Sequence, residues 1–256
     1  MNLITLHNIG VAYDGYEALR HVDLEIADDD FLGVIGPNGG GKTTLVKAIL
    51  GLVPHSGKIV YAPELFRGKE RLIGYMPQQS DFDRTFPISV LETVLSGLQG
   101  RRGFRRRYTA DDRRAARRLL ETAGLADISD RPIGEISGGQ LQRTLLCRAV
   151  IAEPRLLILD EPANFVDNKF ENELYRMLRQ LNERMAIVMV SHDVGTISSV
   201  VKEIVCVNRL VHRHRSNRLT EEQLRNYDCP IQLLSHGHVP HTVLEHHPGD
   251  CCCDHE

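Results

Sequence analysis

Apolar residues in this chain fall into runs too short and too uniform for amphipathic helices, separated by segments with helical spacing. Phe31-Leu32-Gly33-Val34-Ile35, Leu156-Leu157-Ile158-Leu159 and Ala186 to Val190 are continuous apolar runs bounded by polar residues. Runs of that length read as strands buried on both faces, as in a parallel sheet. Leu45-Val46-Lys47-Ala48-Ile49-Leu50 and Leu141, Leu145, Leu146 and Ala149 have helical spacing. Met1 to His7 reads as a strand, and residues 3 to 35 as short strands joined by turns, one of them the acidic Asp28-Asp29-Asp30. A turn at Pro54 to Gly57 leads to further strands. Residues 87 to about 136 are helical with no strong strand, and interrupt an α/β pattern that resumes at Arg155. A helix near 168–183, a strand at 186–190, a helix near 193–200 and strands near 202–211 complete the pattern. The expected class is α/β, with a helical segment inserted in the core.

Chemistry enters where the first buried run ends. Gly36-Pro37-Asn38-Gly39-Gly40-Gly41-Lys42-Thr43 fits the phosphate-loop pattern G-x-x-x-x-G-K-[ST]. It sits between a strand and a helix, the setting this loop requires. Glycines let consecutive backbone N–H groups turn inward toward a polyanion, and the helix beginning near Lys42 adds the positive end of its dipole. Lys42 brings a full charge to the β- and γ-phosphates. The Thr43 hydroxyl is the expected Mg²⁺ ligand, and Thr44 reaches toward the α-phosphate. The second buried run ends in Asp160-Glu161. Asp160 suits Mg²⁺ held through water, and Glu161 is placed to polarise an attacking water. Alone, such a pair would read as surface acids at a strand end; behind a phosphate loop it reads as the other half of a nucleoside-triphosphate site.

Ile136-Ser137-Gly138-Gly139-Gln140 follows, with Ser137 placed 23 residues before Asp160 as an N-cap for the helix through Leu141 and Ala149. Ser191-His192-Asp193 ends the set. With these motifs in this order, the chain resembles the ATP-binding subunit of an ABC transporter, from about residue 3 to at least residue 227. Ser137-Gly138-Gly139-Gln140 matches that family's signature; Ile136 stands where the family usually has Leu.

The resemblance implies a P-loop NTPase core with an N-terminal antiparallel β subdomain and a helical subdomain inserted at about 87–150, the ATPase domain spanning 1–227. It implies ATP and Mg²⁺ as cofactors, with Ser137, Gly138, Gly139 and Gln140 facing the γ-phosphate held by a second copy in a homodimer. Tyr13 resembles the aromatic that stacks on adenine; by itself it would read as a strand-end residue. Gln78, in Tyr75-Met76-Pro77-Gln78, resembles the glutamine that senses Mg²⁺ and the attacking water, with Gln79 a competing register. Asp167 matches the aspartate that crosses the dimer interface, and His192 the histidine that bonds the γ-phosphate. The expected partners are a multi-span membrane permease and, through it, an extracytoplasmic substrate-binding protein, the chain sitting on the cytoplasmic face of the membrane. Phe86-Pro87-Ile88-Ser89-Val90 reads either as the permease contact or as an ordinary helix entry.

Composition narrows the rest. At 256 residues the chain buries a full core. A net charge of −3 gives no basis for a nucleic-acid partner. No apolar run reaches the length that spans a bilayer, and the first residues read as a strand rather than a signal peptide. Six cysteines do not suggest a disulfide framework; Cys147 and Cys206 lie in apolar surroundings and read as buried thiols. Nine arginines between Arg101 and Arg118 are opposed by Asp111 and Asp112 only. They read as a solvated helix face, or as a contact with anionic lipid or an acidic partner.

Residues 228–256 form a His/Cys-rich tail, and eight of the twelve histidines lie at or after His212. His212, His214, His236, His238, His241, His246, His247 and Cys251-Cys252-Cys253-Asp254-His255 suit a borderline transition metal, or simply make a polar tail. With Asp228-Cys229-Pro230-Ile231 and Gly237-His238-Val239-Pro240-His241-Thr242-Val243-Leu244, the tail resembles the zinc- and manganese-type branch of the family's importers, which implies metal import. The alternatives are another imported substrate or an ABC ATPase without a permease. The 118 positions between Lys42 and Asp160 leave no room for the long coiled coil of DNA-repair relatives.

Overall fold

The computed structural model describes residues 1–68, 70–78, 85–102, 107–162, 168–192, 194–217, 231–236 and 239–244. Its elements in order are β1 (Asn2–Tyr13), β2 (Tyr16–Ala27), β3 (Phe31–Ile35), α1 (Lys42–Leu50), β4 (Ser56–Tyr61), β5 (Phe66–Arg67), β6 (Glu70–Arg71), β7 (Ile73–Met76), α2 (Val90–Ser96), α3 (Gln99–Arg102), α4 (Ala110–Thr122) and α5 (Gly138–Val150). Then come β8 (Leu156–Asp160), α6 (Asn168–Asn182), β9 (Ala186–Val190), α7 (Val194–Ser198), β10 (Glu203–Asn208), β11 (Leu210–His214), β12 (Ile231–His236) and β13 (Val239–Leu244).

The three continuous apolar runs are neighbours in one six-stranded sheet of order β11-β10-β3-β9-β8-β7, parallel except for the β10–β11 hairpin at its edge. Two hydrophobic cores explain why these strands do not alternate. Leu156 and Ile158 of β8 join Val188 of β9, Leu45, Val46 and Ile49 of α1 and the inner face of β1 and β2. Leu157 and Leu159, with Ile187 and Met189, pack against Leu95, Leu120, Leu141 and Leu145 of the helical layer. Each strand is thus buried on both faces. The smaller sheet, β2-β1-β4, is antiparallel.

Residues 2–27 depart from the expectation of short strands. They form two strands of 12 residues each joined by a tight turn at Asp14-Gly15. The β1–β2 register shifts between Leu6 and Ile9 and again between Ile9 and Ala12, and Asn8 and His21 take left-handed backbone with φ 50° and 49°. Each bulge resets which residues face inward, so the period of two is broken although the pairing continues.

The helical layer is set by local signals. Ser89, Thr109 and Ser137 each cap a helix through a reciprocal bond with the residue three positions on: Glu92, Asp112 and Gln140. Cys147 is buried as expected, and burial pushes its thiol up to about 12. Cys206 is also buried. Among the described residues, no helix is long and apolar enough to cross a membrane. On α4, Arg113, Arg114, Arg117 and Arg118 are exposed, with Arg114 paired to Asp111 and Arg117 to Asp130. Residues 103–106 of the arginine-rich stretch lie outside the described residues.

One ionic node joins the two sheets. Arg213 on β11 donates from Nε to Glu203 Oε2 at 2.6 Å, from one terminal nitrogen to Asp30 Oδ1 at 2.8 Å, and from the other to Glu25 O at 2.6 Å. Burial opposes its charge, but Glu203 and Asp30 outweigh that and hold its pKa above the ordinary value. Asp30, the residue before β3, is only 10% exposed. Arg213→Met leaves Asp30 and Glu203 without the cation they share. It is expected to lower unfolding free energy by roughly 3 kcal/mol, the low end for breaking a buried pair because part of the guanidinium stays wet. Urea denaturation of the two proteins checks this.

Candidate functional site

The site lies at the carboxyl ends of the parallel strands, where β3, β8 and β9 deliver their following loops side by side. The loop after β3 is shaped by glycines. Gly39 and Gly41 have φ 76° and 101°. A Cβ on Gly36 would fall 2.0 Å from Val207 O, and one on Gly41 2.6 Å from Ala18 O. The backbone of β10 and β2 thus presses on the loop at two points, and only glycine fits at either. Gly41 is the N-cap of α1, and Leu45 N–H makes the first i→i−4 bond of the helix to Gly41 O at 2.8 Å. The N-terminal end of a helix offers its first-turn amides to an anion, and here that end opens directly onto the glycine loop.

Lys42 is 7% exposed and donates from Nζ to Gly36 O at 2.8 Å and Pro37 O at 2.9 Å. The ammonium therefore sits across the mouth of the loop, held by the loop's own carbonyls. Thr43 Oγ1 donates to Asp160 Oδ2 at 3.3 Å, bringing together the first and second motifs. Asp160 closes β8 and is buried. The pair presents two hard oxygen ligands beside the phosphate loop, a donor set that fits Mg²⁺ bound with water and phosphate oxygens.

Glu161, the next residue, adopts a left-handed backbone (φ 52°) while its N–H donates to Val190 O at 3.0 Å. That turn brings its carboxylate, 15% exposed, out of the sheet toward the groups from β7 and β9. Gln78 Nε2 donates to Glu161 Oε2 at 2.7 Å, and His192 Nδ1 stands 3.6 Å from Oε1. Gln78 is thus found at this carboxylate; Gln79, the competing register, lies outside the described residues. Ser191 N–H donates to Val34 O at 3.0 Å and ties the end of β9 to β3. Asp193 and Asp167 lie outside the described residues.

Two expected groups stand apart from this cluster. Ser137, Gly138, Gly139 and Gln140 open α5 in the helical layer. There Ser137 N–H donates to Gln140 Oε1 at 2.9 Å and Gln140 N–H to Ser137 Oγ at 3.2 Å. Tyr13 ends β1, 42% exposed, and pairs across the turn with Tyr16. Of the remaining loop positions, Pro37 and Asn38 lie between Gly36 and Gly39, Gly40 N–H donates to Pro37 O at 3.0 Å, and Thr44 is in the first turn of α1.

One contributor gave no signal in the sequence. Arg209, in the turn between β10 and β11, donates its N–H to Gly40 O at 2.9 Å and accepts from Arg20 N–H at 2.8 Å. Its guanidinium lies 5.0 Å above the Tyr16 ring. Only its left-handed φ of 57°, unusual for arginine, marks the position. Of the histidine-rich tail, residues 231–236 and 239–244 form an antiparallel hairpin with Leu234 opposite His241 and His236 opposite Val239. His212 and His214 belong instead to β11 of the large sheet. Among the described residues, no three His, Cys, Asp or Glu side chains converge as a metal site. His238, His246, His247, Cys251, Cys252, Cys253, Asp254 and His255 lie outside them.

A glycine-shaped phosphate loop, a strand-end Asp-Glu pair, a facing glutamine and histidine, and a capped Ser-Gly-Gly-Gln helix together define the nucleotide-binding cassette of an ABC transporter. The profile of the ABC transporter family matches residues 19–164, and the chain belongs to that family. Among curated proteins it is 42% identical over 251 residues to a zinc import ATP-binding protein, ZnuC, of Pseudomonas putida, covering 97% of this chain and 89% of that one. The ZnuC protein of Pseudomonas entomophila is 39% identical over 248 residues, covering 96% and 88%. Among solved structures, a chain of a metal-chelate-type ABC transporter in an inward-facing conformation superposes with TM-score 0.80 at 24% identity, covering 96% of this chain and 98% of that one. A dimeric ATP-binding cassette bound to ADP and Pi gives TM-score 0.71 at 24% identity, covering 85% and 100%. These two likenesses bear on the fold, whose α/β core with an antiparallel β sheet and an inserted helical layer is that of an ABC ATPase.

Proposed function

We propose that the chain hydrolyses ATP to drive import of a transition metal, zinc first among them, through a separate membrane permease. The observation that carries the ATPase is the convergence of Lys42, Thr43, Asp160, Glu161, Gln78 and His192 at one end of the sheet. The cargo rests on kinship at about 40% identity over nearly the whole chain with proteins named for zinc import.

In this reading the loop amides and Lys42 hold the triphosphate, Lys42 exchanging the carbonyls of Gly36 and Pro37 for phosphate oxygens. Mg²⁺ would be held by Thr43 and, through water, by Asp160; it supplies charge neutralisation to the β- and γ-phosphates. Tyr13 stacks on the base. Glu161 accepts the proton of the attacking water while Gln78 and His192 orient its two carboxylate oxygens and the γ-phosphate. Ser137 to Gln140 of a second copy close over the same phosphate, with Asp167 at the interface between the copies. ATP thus binds better to the closed pair than to separate chains, the differential affinity any ligand-driven switch needs. The chain works at the cytoplasmic membrane face, and the permease receives substrate from an extracytoplasmic binding protein.

Uptake of radiolabelled zinc and manganese by cells carrying the native chain or its Glu161→Gln variant tests the reading. Loss of zinc uptake alone supports it. Loss of manganese uptake alone changes the cargo, and unchanged uptake of both removes metal import. Lys42→Ala is expected to weaken ATP binding by at least an order of magnitude, since a charge-assisted contact to phosphate goes with the ammonium. Fluorescent-nucleotide titration measures it, and an unaltered affinity sinks the assignment of the loop.

A further inference from the structure

A nucleotide site needs a loop for the triphosphate and a platform for the base, held at a fixed spacing. In this chain the two come from different sheets. The phosphate loop follows β3 of the six-stranded sheet, whereas Tyr13 stands at the β1–β2 turn of the antiparallel sheet. Arg209, in the turn between β10 and β11, bridges them. Its N–H donates to Gly40 O of the loop at 2.9 Å, and its carbonyl accepts from Arg20 N–H of β2 at 2.8 Å. Val207 O, two positions earlier, lies against the same loop: Cβ atoms on Gly36 and Gly40 would fall 2.0 and 2.8 Å from it. The end of the β10–β11 hairpin is therefore wedged between the phosphate loop and β2.

The side chain of Arg209 continues the link. Its guanidinium carbon lies 5.0 Å from the centroid of the Tyr16 ring, within reach of a cation–π contact. Tyr16 pairs with Tyr13 across Asp14-Gly15, whose φ of 47° and 85° suit a tight two-residue hairpin turn. Directly opposed residues of an antiparallel pair project from the same face, so what holds Tyr16 also bears on Tyr13. The two tyrosines are 48% and 42% exposed. Rings that exposed gain little restraint from core packing, and a cation over Tyr16 supplies some. Glycine would take the left-handed φ of 57° at Arg209 without strain. What arginine adds at this position is the side chain over Tyr16.

We propose that Arg209 is a positioning residue for nucleotide binding. Fixed to the phosphate loop by its main chain, it holds Tyr16 through its guanidinium and so sets where Tyr13 stands relative to the loop. It acts through the two tyrosines rather than by touching the nucleotide, and this rests on the proposed function, in which Tyr13 is the platform for the base. A platform restrained before ATP arrives leaves less to be ordered on binding. The gain is confined to ligands that carry a base.

The experiment measures the affinity of the full chain for ATP and for inorganic tripolyphosphate, both with Mg²⁺. The ratio of the two isolates the base, whereas a general weakening of the fold moves both alike. Arg209→Gly keeps the main-chain bonds and the left-handed backbone and removes only the guanidinium. It is expected to lower the ratio about threefold, the scale of an exposed cation–π contact, with tripolyphosphate affinity unchanged. Tyr16→Leu should lower the ratio equally, and Tyr16→Phe, which keeps a ring, should leave it near native. The variant carrying both Arg209→Gly and Tyr16→Leu should lose no more than either alone. An unchanged ratio in Arg209→Gly, equal losses for both ligands, or additive losses in the double variant would each overturn the proposal; additive losses would mean that the arginine meets the nucleotide directly. Should Arg209→Gly fail to fold, Tyr16→Leu against Tyr16→Phe decides, and equal ratios overturn the proposal. Tyr13→Leu separates this from the proposed function. If it lowers the ratio and Arg209→Gly does not, only the role of Arg209 falls; if it leaves the ratio unchanged, the base platform falls and the role of Arg209 with it.

Discussion

Glu161→Gln is expected to bind ATP with near-native affinity, to lose hydrolysis by about two to four orders of magnitude, and to accumulate as a closed dimer. The magnitude is what removing a positioned general base costs. The substitution keeps the shape of the side chain and its neighbours. Gln78 Nε2 now bonds Glu161 Oε2 at 2.7 Å, and an amide oxygen accepts the same bond. What is lost is the charge that draws a proton from water. Lys42, Thr43 and Asp160 are untouched, so the nucleotide still enters. ATPase rate, nucleotide affinity and light scattering with and without ATP separate these effects. A variant that turns over at the native rate would remove Glu161 from the role of base, and one that fails to bind ATP would show a structural defect instead.

Gly36→Ala should be nearly as severe by a different route. The added methyl would meet Val207 O at 2.0 Å, and both partners are backbone, with no side-chain end to swing away. Gly36 also has φ 151°, within the region where side chains are strained. Relief requires the loop to leave β10, and that moves Gly36 O, one of the two carbonyls holding Lys42 Nζ. The variant is expected to lose measurable ATP binding and at least about 2 kcal/mol of stability, as for overpacking against an unyielding neighbour. Gly39→Ala is the control: a Cβ there meets nothing within 4 Å, and its only penalty is φ 76°. Thermal unfolding and nucleotide titration of both variants distinguish contact from conformation, since equal losses would leave the contact with β10 without consequence.

Much of this arrangement was legible in the sequence, for identifiable reasons. β3, β8 and β9 were readable because a strand buried on both faces is apolar at every position and ends sharply. The start of α5 was readable because Ser137 is a good N-cap just ahead of the helical spacing of Leu141, Leu145, Leu146 and Ala149; the reciprocal bond with Gln140 came from the structure. Asp160 and Glu161 gained meaning from the strand that carries them. β1 and β2 read as shorter pieces because their bulges reset the inside face at Ile9 and again before Ala12. Arg209 was invisible because its contribution is made by backbone atoms, through a turn brought to Gly40 by the pairing of β10 with β3. His212 and His214 looked like the start of the tail because histidine in a strand carries no pattern of its own.

The division of each central strand between two cores has a consequence for how the chain tolerates change. Leu157 and Ile158 are adjacent, equally buried and equally apolar, yet one answers to the helices and the other to α1 and the antiparallel sheet. A replacement that one neighbourhood absorbs is judged by a different neighbourhood one position later. Variation along β8 and β9 should therefore alternate with a period of two that their hydrophobicity conceals, one set of positions answering to the helical layer and the other to α1 and the antiparallel sheet.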